Sequence, residues 1–571
     1  MNIRTKDWHL RSRSKQEKAF VSILALPVFY FVYLFVTAAK SNISEVPFWD
    51  EWDSKFLMNP KGNSITWESF WRQHNEHRII FSKIFFLIDY TLFNGKTAPL
   101  IWLNIFLTFG IIAIFARLVF NLSRGNSKFI PILLTSSIMV LFTSLIGSEN
   151  LYWGFQSQFY LSILLPFLSF YLYSVFEVKG ERKYLVIALI IGFCAIGTMA
   201  SGLMTLPAIL FVQVILRKPL RICLVTVVVT TAAFLLYFHH YRFVFNSPFS
   251  TLIHHPLFVV KYDALLLGNI VFTQTNHNVY LTILFDLIIV SYVGRAFLQL
   301  LKNKNVSLAH ICSSLLLVYC LGFGLETAAG RFTFGYGEAL SSRYTLFSIT
   351  AISAAIVVAF ELDREKSGFR NISAILPILL IATLLPLQRS DSANHHDLNF
   401  QKNVAALALF LGVNDDSQVS FVYPAPKNIV KKVEILKANN QAIFGSTLFK
   451  QVNKVTPPSK LTNAPLCRGN LELAIPLKSI GGYQFKVRGW ILDEHKTQLS
   501  VAQIYDPNNE LLGSALVGGS RPDVANLYGK ASLWTGFEGY IKSGNPIQVI
   551  GEDAKGRVIC KVAISHRVQG L

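Results

Sequence analysis

Apolar runs of about 18 to 22 residues recur from Ala19 to about Gln388 and then stop. At ~1.5 Å of rise per residue, each run is long enough to cross a hydrocarbon core of ~30 Å as a helix. With 52% hydrophobic and only 15% charged residues, a chain of 571 residues has far more apolar surface than a water-soluble fold can bury. Lipid must solvate most of it. The first run, Ala19 to Ala38, is longer than a signal-peptide core and lacks a small-residue cleavage site, so it reads as a retained helix.

A formal charge of +20 raises the question of nucleic acid, and the placement of the basic residues answers it. Arg4, Lys6, Arg11, Arg13, Lys15 and Lys18 precede the first run, which puts the N-terminus in the cytoplasm by the positive-inside rule. Alternate loops carry the rest: Arg124 and Lys128, Lys179 to Lys183, Arg217 to Arg221, Lys302 and Lys304, and Arg364 to Arg370. The intervening loops are longer and richer in aromatic, acidic and histidine residues. The basic residues are therefore topology signals, and no nucleic-acid partner is expected.

The spans expected lie near 19–38, 98–120, 129–147, 157–177, 184–199, 201–216, 222–239, 279–299, 307–325, 343–361 and 371–388. An odd count of about eleven helices places the C-terminus outside. The stretch Pro256 to Phe272 is apolar but carries Lys261, Tyr262 and Asp263, and is expected to be re-entrant or interfacial. The organisation expected is a basic N-terminus (1–18), a membrane domain (19–388) with a first external loop at 39–97, a connector (389–466) and an external β-domain (467–571).

In the last segment, period-two runs such as Tyr483 to Trp490, Leu499 to Tyr505 and Ile547 to Ile550 alternate with turn signals at Asp506 to Asn509 and Gly518 to Ser520. This pattern predicts a β-sandwich. Tyr483, Trp490, Tyr528, Trp534, Phe537 and Tyr540 have flat faces that suit the CH-lined side of a pyranose, with core positions the plainer expectation for Trp490 and Phe537. Cys467 and Cys560 bracket the domain and, on an oxidising face, are expected to form a disulfide; Cys194, Cys223, Cys312 and Cys320 fall in predicted helices. The run Arg521 to Ala525 followed by Gly536-Phe537 resembles a signature of small β-domains appended to bacterial surface-polysaccharide enzymes.

Chemistry concentrates on the outer face. Pro47-Phe-Trp-Asp-Glu-Trp-Asp53 sets Asp50, Glu51 and Asp53 within four positions just past the first helix, beside Trp49 and Trp52, which are expected to rim the membrane surface. Such carboxylates either raise one another's pKa or gather a divalent cation. The alternative is a solvated acidic turn in an aromatic belt. Further on, His74-Asn-Glu-His-Arg78 groups five polar side chains; on one helix His74, His77 and Arg78 share a face. Their spacing is not that of a zinc site, and Arg78, Glu76 and the histidines are read as phosphate or sugar contacts, with an interfacial basic helix as the plain alternative. Glu149 and Gln156 lie among aromatics in a second outer segment. Arg331 precedes Ser341-Ser-Arg-Tyr344, where Arg343 and Tyr344 open a late helix, a costly place for an arginine unless it is hydrated or neutralises an anion.

An acidic pair directly after the first helix resembles the active-site motif of the GT-C superfamily of membrane glycosyltransferases, and the late Arg-Tyr pair resembles its donor-phosphate contact. The resemblance covers the architecture of about two thirds of the chain and two short motifs. It implies inverting transfer of a monosaccharide from a polyprenyl-phosphate donor to a glycan or glycolipid acceptor at a bacterial inner membrane. Asp50 would be the general base, Glu51 its alternate and Asp53 a positioning group, with Arg343 and Arg78 offsetting charge on the departing phosphate. A divalent cation, Mg or Mn, held by Asp50 and Glu51 is the cofactor left open. Two other readings stay in view: an O-antigen ligase or polymerase, and a transporter of lipid-linked sugars, the latter disfavoured by scarce ionisable residues at helix centres.

Overall fold

The computed structural model describes residues 2–58, 65–122, 128–243, 248–274, 278–302, 306–363, 367–452, 454–478, 482–495 and 497–564. Arg124, Lys304 and Arg364 lie outside the described residues, and of the side chains before Gln16 and of Arg370 nothing is described. The chain forms two compact units. The first comprises Met1–Lys40, Leu57–Phe85 and Leu100–Ser392; the second comprises Ser41–Phe56, Phe86–Pro99 and Ala393–Leu571.

Among the described residues, eight helices are long and apolar enough to cross a membrane: Gln16–Ser41, Ala98–Asn121, Phe129–Tyr152, Gly154–Lys179, Leu220–Phe238, Val279–Lys302, Leu308–Gly330 and Ser342–Leu362. They divide by environment. Gly154–Lys179, Leu308–Gly330 and Ser342–Leu362 have 72%, 72% and 78% of their apolar window buried, whereas Leu220–Phe238 has 17% and Val279–Lys302 has 28%. The first three form the core of the bundle around Phe167, Tyr319 and Phe347. The other two present Leu224, Val228, Leu235, Leu284 and Leu287 outward, a surface that only lipid solvates cheaply.

Three of the eleven expected spans coincide with shorter apolar helices. Expected spans 184–199 and 201–216 become Arg182–Cys194 and Thr205–Ile215, separated by tight turns through Gly202, where a Cβ would lie 2.0 Å from the Ala195 carbonyl oxygen. A helix of 13 residues extends only ~20 Å. The third, 371–388, has its apolar stretch at Ile375–Gln388, inside the helix Ser367–Leu411, with Pro377 and Pro386 in it. The apolar stretch after Pro256 folds as two helices, Pro256–Leu267 and Asn269–Gln274. They meet at Gly268, where a side chain would lie 2.3 Å from the Thr282 carbonyl oxygen.

In the second unit seven antiparallel strands, β1 (Arg468–Pro476), β2 (Tyr483–Leu492), β3 (Val501–Tyr505), β4 (Leu511–Gly519), β5 (Gly536–Lys542), β6 (Gln548–Glu552) and β7 (Val558–Ala563), form one sheet in the order β1-β2-β5-β4-β3-β6-β7. The expected two-sheet sandwich is therefore a single curled sheet, a half-barrel. Strand alternation reports that a face is buried without saying what covers it. Here one face closes on itself around Leu471, Val487, Ile504, Phe537 and Val562. The other is covered by helices of 393–452, through Val404, Leu436 and Phe449 against Val501, Leu516 and Tyr540. Its two outer strands meet where Leu466 pairs with Lys561 and Cys467 is joined to Cys560, with Cα atoms 5.5 Å apart.

The same helical layer holds Trp52. Its indole is fully buried beside Phe444, with centroids 6.4 Å apart, so Trp52 is a core residue rather than part of a membrane rim. Phe537 and Tyr540 are likewise core, Trp490 lies against Tyr528 and Trp534 stacks on His396.

Candidate functional site

The segment 74–78 does not continue a helix. His74 and His77 exchange backbone hydrogen bonds (2.8 and 2.9 Å) around Asn75 at φ 49°, a left-handed conformation that asparagine tolerates. The face-sharing expected of His74, His77 and Arg78 is thus replaced by a tight turn that divides them. Arg78 is buried and donates to the carbonyls of Trp71, Tyr237 (2.7 Å) and His239 (2.7 Å), lying over the Trp71 ring. Its donors tie the loop to the end of Leu220–Phe238. Lys83 works similarly on the carbonyls of Ser69, Phe70 and Arg72.

Glu76, at the tip of the turn, is held by its surroundings. The hydroxyls of Tyr237 and Tyr241 donate to its carbonyl oxygen (2.8 and 3.0 Å), and the Arg331 guanidinium donates to its Oε1. His77 Nε2 lies 3.6 Å from the same oxygen, while its Nδ1 accepts from the Ala200 N–H (3.2 Å), which places the ring proton on the Glu76 side. Burial pushes the Glu76 pKa up, but the fields of His77, Arg331 and His74 and its own backbone hydrogen bond outweigh it, and the carboxyl stays below its ordinary value. Burial also drives His77 down to about 4, against the pull of Glu76. Above that pH His77 is neutral, and Arg331 supplies the standing positive charge.

A second cluster surrounds Arg343. Ser341 and Ser342 donate to Glu149 Oε2 (3.3 and 2.9 Å), Arg343 lies 3.7 Å from Glu149 and 3.3 Å from Glu338, and Asn150 donates to the Arg343 carbonyl (2.6 Å). Gln156 is buried on the same segment as Glu149, with its Oε1 lacking a hydrogen bond among the described residues. The Tyr344 hydroxyl donates to Glu338 (3.4 Å) and lies in the fields of Arg331, Arg343, Glu338 and Glu76. Both clusters thus converge at one end of the apolar bundle. An arrangement of two guanidiniums with carboxylates and hydroxyls can bind an anion while accepting hydrogen bonds from ligand hydroxyls.

Asp50, Glu51 and Asp53 belong to the second unit. Glu51 is buried and accepts from the Phe48 N–H (2.8 Å); Lys402, lying over the Phe48 ring, acts on Glu51, and Lys432 pairs with Asp53. Burial holds the Lys402 ammonium below its ordinary pKa, against the pull of Glu51. The repulsion expected of three clustered carboxylates is met locally by lysines some 350 to 380 positions away in sequence.

The sequence reading placed Glu338 in the loop of Arg331 and Arg343, and it gave several groups no role. Glu338 is part of the Arg343 cluster, Glu326 lies in the field of Glu76, and Asp263 and Asp286 are buried on two helices that meet at Gly268 and Thr282. Asp286 carries a signal that was available: a carboxylate inside an otherwise apolar run. No protein-family model matches this chain, and no curated protein matches it.

Proposed function

We propose that this chain is a membrane glycosyltransferase of the GT-C kind, taking a monosaccharide from a polyprenyl-phosphate donor. The observation that carries the reading is Arg343 lying over the Tyr344 ring, 5.8 Å from its centroid, beside Glu149 and Glu338 at the start of the apolar helix Ser342–Leu362, with Arg331 capping the end of the preceding helix Leu308–Gly330. A donor whose tail lies in the bilayer brings its phosphate to such a place without leaving lipid. The guanidiniums offset the charge that grows on the phosphate as the anomeric C–O bond breaks. The surrounding carboxylates and hydroxyls suit the hydroxyl groups of a sugar.

Sugar attack needs a base to take the acceptor proton. Asp50, with Glu51 as its alternate, is proposed on the sequence resemblance, and Glu76 is the rival within the first unit. The orientation proposed puts the N-terminus in the cytoplasm and the β-domain outside, at a bacterial inner membrane. The Cys467–Cys560 disulfide favours an oxidising compartment for that domain. Mg or Mn dependence is tested by chelation in the same assay.

The test is transfer of labelled sugar from polyprenyl-monophosphate monosaccharides to surface-glycan lipid acceptors in membranes. Arg343→Ala should lower the rate by about 10²–10³-fold. Loss in Asp50→Asn with retention in Glu76→Gln assigns the base to Asp50, and the reverse assigns it to Glu76. No transfer from any monophosphate donor, with transfer from a diphosphate-linked oligosaccharide, would replace this reading with a ligase or polymerase.

A further inference from the structure

The sheet of the second unit carries a recess of about 430 Å³ at one end, where β2 begins, β5 finishes and β4 begins. Tyr483, the apolar Val455 and Leu511, and the polar Asn509, Glu510 and Lys542 line it. Its volume lies in the range of small-ligand sites, about 300–1,000 Å³. Among the rings whose flat faces suit a pyranose, Phe537 and Tyr540 are buried in the core, and Trp490 and Trp534 lie against Tyr528 and His396. Tyr483 is half-buried and forms part of the recess wall.

The fold holds this wall in place before anything binds. Tyr483 pairs with Lys542 across β2 and β5, and Gly513 pairs with Ile541 across β4 and β5, so the lining residues stand at fixed register positions. A Cβ on Gly513 would lie 2.0 Å from the Tyr540 carbonyl oxygen, which keeps that position bare. At the rim, Asp506 Oδ1 accepts from the N–H groups of Asn508 (2.9 Å) and Glu510 (2.8 Å), closing the turn between β3 and β4. Asn509 sits in this turn at φ 61°, and its Oδ1 accepts from Gln548 Nε2 (3.0 Å).

The lining selects its ligand by chemistry. One ammonium and one carboxylate cancel, so neither a lone anion nor a lone cation is favoured. β2, β5 and β4 each have a strand on both sides, which leaves no open edge for a peptide to extend. What remains is a flat ring beside aliphatic side chains, bordered by groups that donate and accept hydrogen bonds. A neutral pyranose matches all of this: its C–H-lined face stacks on the ring, and its hydroxyls meet the amide, the carboxylate and the ammonium.

We infer that this recess binds a neutral sugar residue of a glycan, with Tyr483 as the stacking platform. The site gives the β-domain a role of its own, holding glycan, and is independent of the proposed transfer reaction.

The test is a titration by saturation-transfer NMR on the full-length protein in a detergent without a sugar headgroup. The probes are the methyl glycosides of glucose, galactose, mannose, rhamnose and N-acetylglucosamine. At least one should receive saturation from the wild type, most strongly at the protons of one ring face. Tyr483→Ala should weaken its binding by about tenfold, the loss expected of one aromatic stack, whereas Tyr483→Phe keeps the ring and should stay within about threefold of wild type. Glu510→Ala/Lys542→Ala removes two exposed side chains and serves if Tyr483→Ala does not fold; it too should weaken binding by about tenfold. Absence of saturation transfer to every probe overturns the site, as does a bound glycoside whose affinity neither Tyr483→Ala nor the double variant changes.

Discussion

The Glu76 carboxylate accepts a hydrogen bond from Arg331, 255 positions later in the chain. The pair joins the turn of the first loop to the end of the helix Leu308–Gly330, in a setting only about one-fifth exposed on either side chain. A neutral partner keeps the shape but removes the charge that Arg331 answers. Glu76→Gln should cost about 1–3 kcal/mol of stability, and Arg331→Ala more, because it strands a partly buried carboxylate. Thermal unfolding in detergent measures both, and equal effects of the two would argue against the pairing.

His77 sets a pH response. Its folded pKa, about 4, lies below the ordinary value of 6.5, so the unfolded chain binds the proton more tightly. The stability it contributes is present above pH 6.5 and is lost as pH falls toward 4. His77→Gln should flatten the stability profile between those limits while leaving pH 7 to 8 nearly unchanged. An unaltered acid limb in the variant would assign the loss to other groups.

Lys486 offers a sharper test of the second unit. Its ammonium is buried on β2 between Asp415 (3.1 Å) and Glu538 (2.9 Å) and donates to Gln418 (2.6 Å), while Tyr540 donates to Asp415 (2.9 Å). Lys486→Ala leaves two carboxylates in a low-dielectric layer and should cost about 3–5 kcal/mol. Lys486→Ala/Asp415→Asn/Glu538→Gln should recover part of that loss. Simple additivity of the three single losses would refute the network.

The disulfide closes 93 positions of sequence around the half-barrel. Cys467→Ser/Cys560→Ser should lower the stability of the second unit by about 4–5 kcal/mol if the cost is chain entropy alone. Limited proteolysis reads the effect on that unit directly. A variant as resistant as the wild type would show that the β1–β7 contacts hold the sheet without it.

Several features are legible from local pattern alone. The eight helices long and apolar enough to cross a membrane follow from run length, and β2, β3 and β6 lie in runs that the sequence marks by strand-like residues between turns. The disulfide was legible from two cysteines bracketing one domain. Arg343 stood out because an arginine at the mouth of an apolar helix demands a partner, and Glu149 and Glu338 provide it.

What the linear chain determined about this protein is which segments avoid water and where charge gathers, because both are properties of neighbouring residues. The tertiary structure alone decided how distant segments meet. It turned His74 to Arg78 into a turn that sends Glu76 to Arg331 and Arg78 to backbone carbonyls, buried Trp52 under Phe444, and curled the strands into one sheet rather than two. Each of these depends on a contact between residues far apart in sequence, and the free energy of such a contact is written in neither partner's local pattern.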